Sequence, residues 1–398
     1  MQKRALVIFA LAALIVTGCS GGATSGGSGS KSGGGETGLT DTEIHLGATT
    51  PLTGPAASYS ASTRASEAYF DSVNAQGGVN GRKIVYTYLD DQYDPSKTVP
   101  LTKQLVDQEK IFALFSSVGS VTQQAVYQRL NSQKIPDVLI GSGANSFVDP
   151  VLPYVSMLLP SFNSESTSLA GVIKDKFAGK KVGLLHQNDD AGAAAVTIYK
   201  KALGDTIVSD QSYEVTDPSV AAQITNLRNA GAEVVLCSIS PKFLALALRE
   251  AAAQGWHPQF LSNGTGLDGT VLATAGAAAD GLLTARQFKD ATDEADPAVK
   301  NANDIVRQYG KNIKPDAASI RGIAAAQIMV AALQGAGKDL TRDSLLKSID
   351  KLRLDNGPWY GTVAMSPTDH DAVECEQLVQ VSGGKLNSVG GVLCPSGK

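Results

Sequence analysis

The residues best suited to ligand recognition follow apolar segments, where predicted strands end. They carry hydroxyl, amide and carboxylate groups in short runs of small polar residues. Ligands of open parallel sheets bind outside the carboxyl ends of the strands. The candidate binding residues are therefore Ser117, Ser120, Asn145, Asn188, Asp189, Ser240 and Asn263. Helices begin after several of them, and free N–H groups at helix N-termini favour an anion such as a carboxylate.

The sequence supports an enzyme less well than a binding protein. His186, at a strand end near Asp189, is the candidate general base of a cleft enzyme such as an amide hydrolase, but no nucleophile or orienting group accompanies it. Residues 264–269 match GxGxxG, but the preceding strand is short and Asp290 lies in a charged stretch, so we interpret the segment as a Gly-rich turn. The four histidines show no ligand spacing. We expect no enzyme activity, no cofactor and no metal.

Three cysteines belong to the body of the chain. Cys237 lies in an apolar run and is predicted to be buried. Cys375 and Cys394 flank two β-like segments and can pair in an oxidising compartment, although the sequence leaves the pairing open. Since no cysteine sits in a CxxC motif or beside a histidine, a thiolate metal site is not expected.

The N-terminal residues have the anatomy of an export signal. Lys3 and Arg4 precede an apolar run at residues 5–16, and small residues lead to Cys19. An uncleaved anchor helix is the alternative, but no stop-transfer pattern follows. The segment before Cys19 resembles a bacterial lipobox, which implies removal of residues 1–18 and a diacylated Cys19. Thirteen of the next 16 residues are Gly or Ser, so residues 19–39 are predicted to be a flexible tether.

Composition limits the remaining choices. The 398 residues carry a formal charge of −4, with 18% charged and 43% hydrophobic residues. This balance argues against nucleic-acid binding, whose proteins are usually basic, and against a wholly disordered chain. From residue 44 onward, apolar strands alternate with helical segments in two successive runs. That rhythm predicts an α/β protein with two parallel sheets, one in each of two Rossmann-like lobes.

Four motifs in this order carry a family resemblance: residues 47–55 (GATTPLTGP), 74–82 (NAQGGVNGR), 90–95 (DDQYDP) and 111–120. They resemble the type I solute-binding proteins of branched-chain amino acid (Leu/Ile/Val) ABC importers, over about residues 42–390. Residues 135–144 and 366–370 resemble the branch that includes binders of aromatic and other carboxylates. The resemblance implies three crossings between the lobes, near residues 159–161, 284–287 and 356–360. The expected lobes are residues 40–160 with 286–356, and 161–285 with 357–398.

The resemblance also implies a site and predicts its ligand. Residues 117–120, together with Gly143, Ala144 and Asn145, would bind the ligand carboxylate, and Tyr59 would form an aromatic wall. The chain departs from the family where second-lobe tyrosines become Ala191 and Ser240 and an ammonium-binding acid becomes Gly264. Asp189 or Asp268 would have to replace that acid. We therefore expect a ligand with a larger side chain, or a carboxylate without an α-ammonium.

Together these features predict a lipid-anchored, monomeric solute-binding subunit on the extracytoplasmic face of the cell membrane. It would capture an amino acid or a related or aromatic carboxylate by hinge closure and present it to an ABC permease. The alternatives are the cleft enzyme described above and a ligand sensor of the same fold that reports to a regulatory partner.

Overall fold

The computed structural model describes residues 36–54 and 56–394. The predicted signal, Cys19 and most of the tether lie outside the described residues. Residues 36–39, the last four of the predicted tether, pack on the body of the protein. The His45 N–H donates to the Gly38 carbonyl at 2.8 Å, and the Arg342 N–H donates to the Glu36 carboxylate at 3.3 Å. A Cβ at Gly38 would lie 2.0 Å from the Phe112 nitrogen, so only glycine permits this approach.

The first lobe is built on a five-stranded sheet with the order β2-β1-β3-β4-β5 and parallel pairing throughout. Its strands are β1 Glu43–Thr50, β2 Lys83–Asp90, β3 Ala113–Phe115, β4 Asp137–Ile140 and β5 Val155–Met157. Its helices are α1 Ser60–Ala75, α2 Pro95–Asp107, α3 Ser120–Gln124 and α4 Tyr127–Ser132. Helices α3 and α4 are short and are separated by only two residues.

The second lobe is built on a seven-stranded sheet. Its parallel strands are β6 Val182–Gln187, β7 Ile207–Tyr213, β8 Val234–Ser238, β9 Gln259–Ser262 and β10 Leu283–Arg286. They alternate with α5 Phe162–Lys176, α6 Asp190–Leu203, α7 Ala221–Asn229, α8 Pro241–Ala253 and α9 Gly269–Ala275. The alternation predicted from sequence is confirmed, with one addition. Two late strands extend the sheet beyond β10, the first antiparallel to β10 and the second antiparallel to the first.

Later helices return to the first lobe. They are α10 Pro297–Tyr309, α11 Ala317–Ala336 and α12 Arg342–Ile349. Helix α11 is long and apolar enough to span a membrane, but two thirds of its most apolar stretch is buried inside the protein. It packs on α1 where a Cβ at Gly322 would lie 2.0 Å from the Ser62 carbonyl oxygen. Helix α11 is therefore apolar because it belongs to the core.

The final segment forms β11 Arg353–Leu354, β12 Val363–Ala364, β13 Glu376–Ser382 and β14 Lys385–Leu393. Trp359, Val363, Met365, Ala372 and Val373 belong to the hydrophobic core of the first lobe. This packing disagrees with the expected boundary at residue 357. Apolar burial holds the segment on the first lobe until the chain enters β13.

The crossings lie side by side. After β5, Met157 pairs with Asp371 in an isolated parallel bridge, and the Val373 N–H donates to the Leu158 carbonyl at 3.1 Å. After β10, Phe288 pairs with Trp359 in an antiparallel bridge. Cys375 and Cys394 form a disulfide beside this region, and Cys237 is a buried free thiol.

Candidate ligand-binding cleft

A cavity of about 130 Å³ lies between the two lobes, at the carboxyl ends of strands from both sheets. Its polar lining is mostly hydroxyl and amide groups, and its apolar lining comes from both lobes. The lining consists of Tyr59, Ser62, Tyr93, Ser116, Val118, Gly119, Ser120, Gly141, Ser142, Gly143, Leu158, Leu159, Phe162, Glu165, Ser166, Gln187, Asp189, Ala191, Ala195, Ser238, Ile239, Ser240, Asn263, Thr265 and Arg321.

Two adjacent loops of the first lobe present a pair of hydroxyl groups. Ser120 begins α3 after β3, Ser142 follows β4, and their Oγ atoms lie 2.7 Å apart. The Ala144 N–H donates to the Ser142 Oγ at 3.1 Å, which fixes that hydroxyl in place. Neighbouring strands of a parallel sheet bring their carboxyl ends together, so two loops far apart in sequence meet here. The pair can donate to a ligand oxygen.

Glycine is required beside this pair. Gly119 has φ +118°, and a Cβ there would lie 2.4 Å from the Thr122 Oγ1 and 2.7 Å from the Tyr93 ring. Tyr93 follows the Asp90-Asp91 turn, and burial raises the pKa of its phenol. The close approach of Gly119 allows the Tyr93 ring to form part of the cavity wall.

Tyr59 and Arg321 form the wall nearest the hinge. The Arg321 guanidinium lies 5.7 Å from the centroid of the Tyr59 ring, within the range of a cation–π contact. Tyr59 ends a short turn before α1, and Arg321 lies in the second turn of α11. Among the described residues, Arg321 forms no ion pair within 4 Å and donates no side-chain hydrogen bond, and Asp316 and Asp268 act on its charge from beyond that distance.

The second lobe contributes a network of amide and hydroxyl groups. Asp189 caps α6 by accepting from the Gly192 N–H at 2.9 Å, and it accepts from the Gln187 amide at 2.5 Å. The Ser240 N–H donates to the Tyr213 hydroxyl at 3.0 Å. Asn263 accepts from the Ile239 N–H and donates to Thr265. These bonds hold the strand-end side chains in fixed orientations.

A buried carboxyl lies at the back of the cavity. Glu165 Oε1 accepts from the Gly264 N–H at 2.7 Å and from the Gln287 amide at 3.3 Å. The same Gln287 amide donates to Glu376 at 2.7 Å, so one amide group joins two carboxyls. Burial raises the pKa of Glu165, and burial together with the charge of Glu165 raises the pKa of Glu376 to about 8. Glu376 therefore holds its proton to a higher pH than an ordinary glutamic acid.

The structure brings six of the predicted site residues to the cavity: Tyr59, Ser120, Gly143, Asp189, Ser240 and Asn263. Four others lie outside its lining. Ser117 is fully buried and accepts from the Thr49 N–H, and Ala144 is buried behind Ser142. Asn145 and Asn163 are joined by hydrogen bonds, and Asn188 donates to Glu214 at the surface.

Several lining residues were missed, chiefly Tyr93, Ser142, Glu165 and Arg321. Ser142 lies in a strand-end loop that was otherwise recognised, so its type and position were a usable signal. Glu165 and Arg321 lie within the first turns of long helices, where a charged residue normally faces solvent. The pairing of the two lobes, not the local sequence, brings these two residues to the cleft.

The alternative catalytic interpretation is not supported by the lining of the cavity, which includes Asp189 but not His186. The His186 imidazole contacts the Asp210 carboxylate at 3.0 Å and the Gln187 carbonyl at 3.0 Å, and His186 is not among the lining residues. The GxGxxG segment is a turn between β9 and α9, as interpreted. A Cβ at Gly264 would lie 2.4 Å from the Ala285 carbonyl oxygen, so this glycine serves close packing of the backbone.

Comparison with known proteins places this architecture among binding proteins. The family model described as periplasmic binding protein matches residues 43–385. The Leu/Ile/Val-binding protein homolog 1 of Brucella abortus (strain 2308) is 26% identical over 326 residues, covering 80% of this chain and 84% of that protein.

Two solved structures share the fold. A fatty acid ABC transporter substrate-binding protein from Thermomonospora curvata is 25% identical, with a TM-score of 0.80 and coverage of 90% of this chain and 94% of that one. A branched chain amino acid ABC transporter from Thermus thermophilus with bound valine is 23% identical, with a TM-score of 0.81 and coverage of 90% and 98%. The two-lobed α/β fold predicted from the sequence is confirmed.

Proposed function

Since the chain belongs to the periplasmic binding protein family, we propose that it is the solute-binding subunit of an ABC importer and captures a small carboxylate-bearing solute between its lobes. The observation that carries this proposal is the cavity itself, which lies at the carboxyl ends of strands from both sheets and has a lining shared by both lobes. A ligand in that position contacts each lobe and stabilises their closed arrangement.

The solute carboxylate is assigned to the first lobe. Ser120 and Ser142 lie within hydrogen-bond distance of each other, and both hydroxyl groups can turn to donate to a ligand oxygen. The hydroxyl of Ser116 and the backbone of Gly143 lie on the same wall. Closure of the second lobe removes water from this region, which strengthens each hydrogen bond to the carboxylate.

The rest of the solute is assigned an apolar body larger than the side chain of leucine. Apolar groups line the cavity on both sides, among them Leu158, Phe162 and Ile239, and the small Ala191 and Ala195 leave room on the second lobe. The similar proteins include a Leu/Ile/Val-binding protein homolog and a fatty acid ABC transporter substrate-binding protein. A carboxylate at one end and an apolar body at the other are common to both classes.

An α-ammonium is not required by this arrangement. Asp268 caps α9 by accepting from the Thr270 N–H at 2.8 Å and does not line the main cavity. Glu165 and Asp189 do line it, so they are the carboxyls available to a cationic group. If the solute carries an amine, we assign its partner to Glu165, because buried charges need a close counter-ion.

Anchoring through a lipidated Cys19 completes the proposal, and the predicted monomer and permease partnership belong to it. Its test is cell fractionation of the wild-type chain and a Cys19→Ser variant. Membrane recovery of the wild type, with release of the variant, is expected. Equal membrane recovery of both would contradict the lipid anchor and favour an uncleaved helix.

The binding function is tested by a thermal-shift screen of the expressed chain against amino acids, amides, and aliphatic and aromatic carboxylates. At least one carboxylate should raise the melting temperature, and its unmodified recovery after incubation should show that it is not turned over. Hydrolysis of an amide would instead favour the enzyme. Uptake of the identified solute by cells carrying or lacking the gene separates transport from sensing, because a sensor would leave uptake unchanged.

A further inference from the structure

A second, smaller cavity of about 50 Å³ adjoins the main one at the hinge. We call this cavity the annex. The residues of its lining include Tyr59, Asp268, Arg286, Ala317, Ala318 and Arg321. Tyr59, Leu159, Thr265 and Arg321 line both cavities, so only these side chains lie between the annex and the cleft. A solute in the cleft can therefore extend one end into it.

The annex holds two arginines from opposite lobes. Arg286 is the last residue of β10 in the second lobe, and Arg321 belongs to α11 in the first. Among the described residues, neither guanidinium forms an ion pair within 4 Å or donates a hydrogen bond. Asp290 and Asp268 act on the charge of Arg286, and Asp316 and Asp268 on that of Arg321, from a longer distance. Arg286 is 8% exposed. A buried charge without a partner is costly, and the arrangement is explained if an anion supplies the missing partner.

The charge balance of the annex favours an anion as well. Asp268 is the acidic residue in its lining, and its Oδ1 is engaged by Thr270 and Val271 in the cap of α9. Burial lowers the pKa of both arginines, but guanidinium groups stay charged at neutral pH. Within the lining, two positive charges thus face one carboxylate that already has hydrogen-bond donors, while Asp290 and Asp316 act on the arginines from outside it.

A helix N-terminus adds to this field. Ala317 and Ala318 are the first residues of the 20-residue helix α11 and line the annex. Asp316 caps the helix by accepting from the Ser319 N–H at 2.7 Å, which leaves the earlier N–H groups for another acceptor. The N-terminal end of such a helix carries partial positive charge. The annex is therefore lined both by two arginines and by the N-terminal end of α11.

We propose that the annex is a subsite for a second acidic group of the solute, so that the transported class is a diacid with an apolar spacer. One carboxylate binds the Ser120–Ser142 hydroxyl pair, and the other is held by Arg286 and Arg321. Because guanidinium groups bind carboxylates through two parallel hydrogen bonds, the second group gains orientation as well as charge pairing. This inference rests on the proposed function and narrows its ligand class.

The test is isothermal titration calorimetry on the full expressed chain with matched pairs of acids. The pairs are butanoate to octanoate against succinate to suberate, and 4-methylbenzoate against terephthalate. At least one diacid should bind at least tenfold more tightly than the monoacid of equal carbon number. In Arg286→Gln that preference should disappear, while the affinity for the monoacid changes less than threefold.

Two further variants serve as controls for the loss of a positive charge. Arg249→Gln removes an exposed charge from α8 and should retain the preference for the diacid. Arg286→Lys retains the charge without the fork and should retain part of the preference. The ratio measured on the wild type decides the question even if an Arg286 variant fails to fold.

Each contrary outcome has a distinct meaning. Binding of monoacids with no diacid preference overturns the annex proposal and leaves the proposed function standing. Absence of binding by every acid overturns both. If phosphate or chloride raises the melting temperature of the wild type but not of Arg286→Gln, and diacids show no preference, the annex holds a free inorganic anion and the diacid proposal is wrong.

Discussion

The Oγ atoms of Ser120 and Ser142 lie 2.7 Å apart across two loops that are separated by 22 positions in the chain. Each hydroxyl is on a different strand-end loop of the first sheet, so their contact depends on the order of β3 and β4 in that sheet. The pair is polar, faces the cleft, and joins the two loops. Its contribution to ligand binding can be measured directly.

Replacing either serine by alanine should weaken binding of the solute carboxylate. A hydrogen bond to a charged group such as a carboxylate contributes about 1.5–3 kcal/mol, which corresponds to a loss of about tenfold to hundredfold in affinity. Calorimetry with the best carboxylate from the screen would measure this for Ser120→Ala and Ser142→Ala. Ser132→Ala is the control, because its hydroxyl bonds to the Arg129 carbonyl on an exposed helix. Unchanged affinity in both cleft variants would place the carboxylate elsewhere.

The linked carboxyls Glu165 and Glu376 should make the protein less stable as the pH rises. Burial raises the pKa of Glu376 to about 8, against 4.5 as the ordinary value. Between these values the folded state holds more protons than the unfolded state, so the free energy of unfolding falls with increasing pH. Stability from this group is complete below about pH 4.5 and is lost as the pH passes through 8.

Glu376→Gln should remove most of that dependence. The glutamine can still accept from Gln287 and does not ionise, so at pH 8 the variant should be more stable than the wild type by about 1–3 kcal/mol. Urea unfolding at pH 5 and pH 8 measures the difference. Glu233→Gln is the matched control at the surface, where Glu233 pairs with Lys180. A parallel pH profile in wild type and Glu376→Gln would contradict the prediction.

Asp137 is a second buried acid, and it is remote from the linked pair in sequence and sheet. It lies in β4, is fully buried, and neither carboxyl oxygen has a hydrogen-bond partner among the described residues. Burial raises its pKa to about 7. The free energy of unfolding should therefore fall as the pH rises from about 4 to 7, by the same sign argument.

Asp137→Val should stabilise the chain at pH 7.5 by about 1–3 kcal/mol, since it removes an unsatisfied buried polar group from a strand that suits β-branched residues. Asp137→Asn, which keeps the polar group but cannot ionise, should flatten the pH profile with a smaller gain. Chemical unfolding at pH 5 and pH 7.5 separates the two. Destabilisation by Val at both pH values would show that the carboxyl has a partner that matters.

The disulfide between Cys375 and Cys394 should stabilise the chain without tuning the site. The cysteines are 19 positions apart, and closing a loop of this length contributes about 3 kcal/mol through the unfolded state. Denaturant unfolding of Cys375→Ser/Cys394→Ser, and of the wild type with and without reductant, should show this loss. Solute affinity should change less than twofold, because neither cysteine lines the cleft. A large change in affinity would mean that the disulfide positions the lobes.

The fold was predictable because its signals are local. Asp94 and Pro95 indicate the start of α2 by type alone, and the Asp94 side chain does accept from the Ser96 N–H at 2.9 Å. The alternation of apolar strands and helices then limits the topology. Residues 363–373 were harder to assign, because their burial on the first lobe depends on contacts with elements far away in the sequence.

The candidate site was predictable in part for the same reason. Strand-end residues such as Ser120, Asp189 and Asn263 occupy positions that parallel sheets reserve for ligands. Glu165 and Arg321 could not be found this way, because each lies on a helix and reaches the cleft through the arrangement of the lobes. Side-chain direction decided the rest: Ser117 is one residue from the lining but points into the sheet, where it accepts from the Thr49 N–H.

Ala191 should control the size of the solute. It lies at the start of α6 and lines the second-lobe side of the cavity, where the sequence resemblance places a tyrosine in related proteins. Ala191→Tyr adds a ring to a cavity of about 130 Å³, and a side chain cannot share that space with a bulky solute. Acids with long or aromatic bodies should lose at least tenfold in affinity, while butanoate should change less than threefold. Calorimetry across the same acid series measures the trend.

Ala193→Tyr is the matched control, since Ala193 lies on the exposed face of the same helix and should leave every affinity unchanged. A loss that is equal for small and large acids in Ala191→Tyr would indicate a disturbed hinge or lobe instead of a filled pocket. Retention of the large acids would mean that the solute body lies against the first lobe, near Leu158 and Phe162. Only a loss graded by solute size supports the assignment of the apolar body to the space beside Ala191.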